Sequence, residues 1–300
     1  MPAIDDILNA LPRRDHWGYR IGELPAAEPL ALAALALIGH GRDAGPLLEE
    51  LSKLQGSDGS VGIYEGQTAP HWATSQSALA WCAALKSKAP PKGDAAQRYR
   101  AAVVRACEFL VRLEGKTIPP GDEVSHNTML VGWPWVESTH SWLEPTAWAF
   151  LALKAADMRS HPRAEEAVAL MLDRLLPGGG CNYGNTIVLG QTLRPHVQPT
   201  GFVLLALAGD ADDHERVVKS VAWISQAIDD DTTSGSLAAA LLGLAAQRKF
   251  PADALPRLEH ALSKPTIKLG AELPRRSLAA LAALGDKSPL VTLSRAGAAA

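Results

Sequence analysis

The sequence predicts an all-α protein built as one (α/α)6 barrel, with six inner helices ringed by about six outer ones, over residues 1–300 as a single domain. Three patterns predict it. Six runs are rich in Ala and Leu on every face, at about 28–39, 71–86, 144–156, 198–208, 233–247 and 273–284. A helix that is apolar all round must be buried. Between them lie amphipathic runs at about 43–54, 96–114, 161–176, 213–228 and 252–263. Finally, an acid or amide followed by proline opens several of the apolar runs: Glu28-Pro29, Glu144-Pro145, Gln198-Pro199 and, more loosely, Glu272-Leu273-Pro274. Proline fits the first helical turn because its missing N–H is not needed there, so each polar residue stands at a helix N-terminus.

Taken in order, residues 1–14 form a short amphipathic stretch with early acids and no signal-peptide core. The outer runs show one apolar stripe each. In residues 98–114, Val103, Cys107, Leu110 and Val111 share a face, with Arg98, Arg105, Glu108 and Arg112 elsewhere. The sixth outer helix comes either from the C-terminal stretch or from residues 3–11. Three long loops, at 55–70, 115–143 and 177–197, lead into inner helices, which should gather their residues over one mouth of the barrel. The connections at 229–232 and 264–271 read as plain turns.

Of the 300 residues, 47% are apolar, enough for a sizeable core. Lys and Arg number 29 against 32 Asp and Glu, with no long basic block, so nucleic-acid binding lacks electrostatic support. No apolar run reaches the about twenty residues of a membrane span, although peripheral membrane contact stays open. Cys82, Cys107 and Cys181 form neither a C-x-x-C pair nor a disulfide framework, which fits a cytoplasmic location.

Two stretches carry a family resemblance. Gln55-Gly56-Ser57-Asp58-Gly59-Ser60 is similar to the Q-x-x-D-G-S-W repeat of terpenoid cyclases, with Val61 in place of the tryptophan, and Gly179-Gly180-Cys181-Asn182-Tyr183-Gly184-Asn185 is a weaker echo. The chain resembles the α/α toroids of terpenoid cyclases and protein prenyltransferases, in particular squalene-cyclase-like repeat proteins. In that family the repeat ties the end of an outer helix to the next inner one. Cyclases that start by protonation carry D-x-D-D-T, whose middle Asp is the acid. Through the shared Thr this motif falls on Trp142-Leu143-Glu144-Pro145-Thr146, so Glu144 matches the acid while both flanking aspartates are missing. A second copy, His196-Val197-Gln198-Pro199-Thr200, has an amide there. The literal Asp210-Ala211-Asp212-Asp213 and the run Asp229-Asp230-Asp231 both precede outer or inner helices and read as solvated caps.

Glu144 is therefore the expected general acid, and a dry lining would raise its pKa. The resemblance implies a histidine that orients it, for which His140 stands near in sequence. The alternative for Glu144 is a rim residue paired with an arginine. Trp133, Trp135, Trp142 and Trp148 fall close together, and indole faces can stabilise a cation or hold a polyene. With Trp72, His71, Tyr183, His196, Gln198, Arg275 and Arg276 they make the expected substrate site; the two arginines would receive an anion or pair with a rim glutamate. No metal and no cofactor are expected. The resemblance implies an enzyme that binds an isoprenoid or similar apolar ligand in a central cavity and cyclises or isomerises it. The alternatives are a non-catalytic ligand- or peptide-binding scaffold and a zinc-dependent prenyltransferase-like transferase, its metal drawn from His71, His140, His196 and Glu144, with Cys181 as a stand-in thiolate.

Overall fold

The structure, a computed structural model, describes residues 1–67, 69–121, 124–264 and 272–296. The expected turn at 264–271 lies, beyond its first residue, outside them. From the N-terminus the described helices are α1 (Pro2–Ala10), α2 (Ala27–Gly39), α3 (Gly45–Lys53), α4 (Ala73–Leu85), α5 (Gly93–Arg112), α6 (Leu143–Ala155), α7 (Pro162–Arg174), α8 (Val197–Leu207), α9 (Glu215–Ala227), α10 (Ser234–Ala246), α11 (Ala254–Ser263), α12 (Glu272–Ala282) and α13 (Pro289–Arg295). A two-residue antiparallel hairpin, β1 (Ile187–Val188) and β2 (Gln191–Thr192), decorates the loop before α8, with Ile187 opposite Thr192.

Each even-numbered helix from α2 to α12 packs on the next, and α12 packs on α2, so the ring closes as an (α/α)6 barrel. The uniformly apolar runs form this inner wall: Leu30 to Leu37 of α2 and Phe202 to Leu207 of α8 are at most 1% exposed. Between α8 and α10 the approach is closest, because Gly201 and Gly243 bring backbone against backbone. A Cβ on Gly201 would sit 2.3 Å from the Ala239 carbonyl oxygen.

The N-terminal ends of the inner helices are stitched together by one device used repeatedly. A helix leaves its first backbone N–H groups without intrahelical partners. The free N–H of Ala27 in α2 donates to the Ile63 carbonyl at 2.9 Å, from the loop entering α4. That of Leu143 in α6 donates to Tyr183 at 2.9 Å, from the loop entering α8, and that of Leu273 in α12 to Tyr19 at 3.2 Å, from the loop entering α2. Each loop also bonds to the helix it enters. The N–H groups of Val61, Trp133 and Cys181 donate to the hydroxyls of Thr74, Thr146 and Thr200 at 2.8, 3.0 and 3.0 Å.

Arginines tie the outer ring. Arg163 of α7 donates to the Leu113 carbonyl beyond α5, Arg216 of α9 to those of Leu172, Asp173 and Leu175 at the end of α7, and Arg257 of α11 to that of Ile228 after α9. Two of them are set by the same local motif: His161 and His214 are the N-caps, accepting at Nδ1 from the N–H of Arg163 and Arg216. This His-x-Arg repeat was not picked out from the sequence.

Both ends of the chain find definite places. Helix α1 packs on α11 and α12 and so completes the outer ring. The C-terminal α13 instead lies across the C-terminal ends of the inner helices, touching α2, α4, α6, α8 and α10. Its Leu290, Val291 and Ser294 are wholly buried, and the Arg295 guanidinium donates to the Ala245 and Ala246 carbonyls that end α10. That end of the barrel is plugged.

Within the aspartate cluster after α8, Asp212 and Asp213 are exposed as a solvated stretch should be, and Asp210 alone is a correction. The Asp210 side chain is 5% exposed and pairs with Lys154 of α6, whose ammonium is wholly buried, at 2.5 Å and also with Arg159. The Lys154 ammonium also donates to the Ala206 and Ala208 carbonyls. The reason is that the expected cap position is taken by His214. At α10 the N-cap is Thr233, while Asp229 closes its own turn on Thr232.

Candidate functional site

Proline occupies the third position of α2, α6, α8 and α12, which places Glu28, Glu144 and Gln198 second, in the first turn at the same end of the ring. Gln76, in the first turn and a half of α4, joins them. Around half of the barrel mouth the order is Glu, Gln, Glu, Gln. Gln76 donates from Nε2 to Glu28 at 3.4 Å, and the Tyr19 hydroxyl donates to the other Glu28 oxygen at 2.9 Å. Glu144 is acted on by the amide of Gln198 and by the indole of Trp148 one turn below it.

The electrostatics follow from this crowding. Burial, and then the neighbouring Glu28, raise the Glu144 pKa to about 7, against the favourable contacts of Gln198 and Trp148. Burial also raises that of Glu28, opposed first by the Tyr19 hydroxyl. In its turn Tyr19 is pushed up by burial and by Glu28. Both glutamates stay partly open to solvent although protein surrounds them. Spare hydrogen-bonding capacity is built in beside them: Gln76 Oε1 is buried and has no hydrogen-bond partner among the described residues.

Aromatic rings flank these carboxyls. Trp72 acts on Glu28 and meets Trp135 edge to face at 5.7 Å between centroids. Tyr19 meets Tyr64 at 6.5 Å. Tyr183 and His196 stack at 5.0 Å beside the start of α8, and Tyr183 is 43% exposed. Of the expected site residues, Glu144 and Gln198 meet at the helix starts, Trp72 and Trp135 pack beside Glu28, and Tyr183 and His196 lie beside the start of α8. Tyr19, Tyr64 and Gln76 were missed. Tyr19 and Tyr64 lie in loops with no periodic signal, and Gln76 follows no proline.

Several expectations are corrected. His140 does not orient Glu144: its Nδ1 lies 3.4 Å from the Lys116 carbonyl, in a side cavity of the 115–143 loop. Trp142 lines the same cavity, because as N-cap of α6 its backbone is bound to Trp133 and its ring is turned against Gly184. Trp133 is 1% exposed and structural. Its indole donates to the Leu110 carbonyl at 2.8 Å and lies under the Arg163 guanidinium at 4.2 Å. His71 packs on Phe109 at 5.1 Å, toward the outer ring. Arg276 pairs with Glu272 of its own helix at 2.5 Å, and the Arg275 stem lies against Gly235 of α10. Among the described residues no three His, Cys, Asp or Glu side chains converge as metal ligands, and Cys181 is buried against Thr200 with its thiol pushed up to about 12.

The barrel axis is not an open hollow. Below the first turn the inner helices are closed to solvent: from Leu143 to Ala155 of α6, apart from Glu144 itself, every residue is buried, as is every residue from Pro199 to Leu207 of α8. With α13 across the far end, packed side chains stand where an apolar central cavity was expected, and Glu28, Glu144 and Gln198 at the helix starts stay partly open to solvent.

The Q-x-x-D-G-S-like stretch is structural, in a slightly different way from that expected. Gln55 donates to the Ala102 carbonyl of the next outer helix, α5, at 2.9 Å and to Gly59 at 3.1 Å. Gly59, at φ 92°, turns beneath the Arg105 carbonyl, where no Cβ would fit. Gly179 does the same beneath Lys219, at φ 97°.

Neither a family model nor a curated protein matches the sequence. Solved structures are similar in fold. A reducing-end-xylose releasing exo-oligoxylanase in complex with xylose matches with a TM-score of 0.55 and 12% identity, over 89% of this chain and 82% of that one. The native form of Escherichia coli α2-macroglobulin matches with a TM-score of 0.52 and 12% identity, over 95% of this chain. A crystal structure of the same protein from domain MG7 to the C-terminus gives 0.49 and 13%, over 94%. This chain spans 17% and 42% of those two α2-macroglobulin chains. At such identities the likeness is one of fold, and the shared fold is the helical toroid.

Proposed function

We propose that the barrel mouth is an acid–base site of the terpenoid-cyclase kind, in which Glu144 protonates an alkene of an isoprenoid or similar apolar substrate and the carboxylate so formed takes a proton back from the resulting cation, leaving the isomerised or cyclised alkene and the acid restored. The observation that carries this reading is the carboxyl pair: Glu144, held near a pKa of 7 by burial and by Glu28, keeps a proton available at neutral pH. Trp72 and Trp135 supply indole rings beside the carboxyls, where a developing cation would gain about 0.5 to 2 kcal/mol from each ring, depending on how dry the site is. Because the axis is packed, the substrate lies over the helix starts and does not thread the barrel. That limits the chemistry to a double-bond shift or a single ring closure, since a long cascade needs a cavity that encloses the whole chain.

Deuterium incorporation tests it. Incubated in D2O with short prenyl alcohols and linear polyprenes, the wild type should place solvent deuterium on a product carbon, and Glu144→Gln should lower that rate at least a hundredfold. Equal rates for the two proteins would rule out Glu144 as the acid. The packed axis favours a second reading, a non-catalytic module whose barrel mouth seats a ligand or the end of a peptide. It predicts ligand retention on purification with no turnover and no deuterium exchange.

A further inference from the structure

The two carboxyls at the barrel mouth are not held alike. Glu28 of α2 accepts at both oxygens: the Tyr19 hydroxyl donates to Oε2 at 2.9 Å and the Gln76 amide nitrogen to Oε1 at 3.4 Å, with the Trp72 indole beside them. Glu144 of α6 meets the amide of Gln198 and the indole of Trp148. A phenol is a stronger acid than an amide or an indole, so it is the stronger donor to an anion. Donors to the ionised form favour that form, and the negative charge so kept favours a proton on the neighbouring carboxyl. The rise of the Glu144 pKa to about 7, from burial and then from Glu28, agrees with a proton that sits there.

Tyr19 is fixed in place for this contact. Its loop is tied to α12, where the Leu273 N–H donates to the Tyr19 carbonyl at 3.2 Å, and its ring rests edge-on against Tyr64 at 6.5 Å. Among the described residues, the further titratable groups felt here are Tyr64, which acts on Tyr19, and Cys181, which feels Glu144. On the α12 side Arg276 pairs with Glu272, and the Arg275 stem lies against Gly235.

We propose that Tyr19 is a positioning residue for the carboxyl pair: by donating to Glu28 it keeps that group an anion, and the anion holds the proton of the pair on Glu144. The placement of the proton is a property of the free protein, whereas its use as the acid of a reaction rests on the function proposed above. Tyr19→Phe keeps the ring against Tyr64 and removes the hydroxyl, so it should move the proton toward Glu28. NMR of protein labelled at glutamate Cδ, assigned with Glu28→Gln and Glu144→Gln, reads both carboxyls without substrate. In the wild type Glu28 should ionise at a lower pH than Glu144. In Tyr19→Phe the Glu28 midpoint should rise by at least one pH unit and that of Glu144 should fall, because a neutral Glu28 no longer repels its charge. Midpoints unmoved in Tyr19→Phe, or a wild type in which Glu144 ionises first, would overturn the proposal. A measurement on the wild type alone guards against a variant that fails to fold. The Tyr19 Cζ shift should step at the Glu28 midpoint, where the hydroxyl loses its anionic acceptor, and a shift that ignores that midpoint would also overturn it. Deuterium incorporation keeps the two proposals apart. Where both hold, Tyr19→Phe should lower kcat at pH 7 several-fold with KM unchanged and move the pH optimum down with the Glu144 midpoint. Moved midpoints with no incorporation by the wild type would sink the acid chemistry and leave the placement standing; incorporation with unmoved midpoints would do the reverse.

Discussion

Glu144 shows how one buried carboxyl ties stability to pH. Its carboxyl is ionised in the unfolded chain above about pH 4.5 but in the barrel only above about 7. Between those values the folded state binds more protons than the unfolded one, so stability falls as pH rises through that window and levels off above it. A shift of this size corresponds to at most about 3 kcal/mol. Glu144→Gln should remove the share of the dependence that Glu144 contributes, leaving that of Glu28, whose pKa burial also raises. Urea denaturation should find the variant level with the wild type near pH 4 and more stable by about 1 to 3 kcal/mol at pH 8. A variant that is less stable at pH 8 would mean that the ionised carboxylate is well paired in the fold. Lys154 is the opposite case, a buried charge that is kept because Asp210 and two carbonyls receive it.

Among the elements, the pair α8 and α10 is the tightest joint, and glycine is the reason. Gly201→Ala would put a methyl group 2.3 Å from the Ala239 carbonyl oxygen and 2.7 Å from the Ala240 nitrogen. Backbone cannot yield as a side-chain tip does, so the helices must part. The expected cost is about 2 to 4 kcal/mol, read from chemical denaturation, with Gly243→Ala behaving similarly because its own Cβ would meet Gly201. A loss under about 0.5 kcal/mol would show that α8 can slide without penalty. The loops between elements act as ties: those entering α4, α6 and α8 each bond a threonine of the inner helix that they enter.

For the whole molecule, the C-terminal helix decides whether the barrel has one opening or two. Ending the chain before Pro289 would uncover the C-terminal ends of α2, α4, α6, α8 and α10 and lose the burial of Leu290, Val291 and Leu293. The truncated protein should melt at least about 10 °C lower and bind an apolar dye that the full chain ignores. Melting and dye binding like those of the full chain would mean that α13 is an appendage. This plug was not legible in the sequence, where the C-terminal stretch was a candidate outer helix. The proline-started rods, their alternation with amphipathic helices and the placing of Glu144 and Gln198 at helix starts were all legible, since each is written within a dozen consecutive residues by i, i+3, i+4 periodicity and by the missing proline N–H. Only the tertiary structure decided that α12 meets α2, that Tyr19 reaches Glu28 while His140 turns to Lys116, and that leucine and alanine fill the axis. Those outcomes depend on contacts between segments far apart in the chain and on the direction in which an aperiodic loop turns its side chains, and neither leaves a local mark.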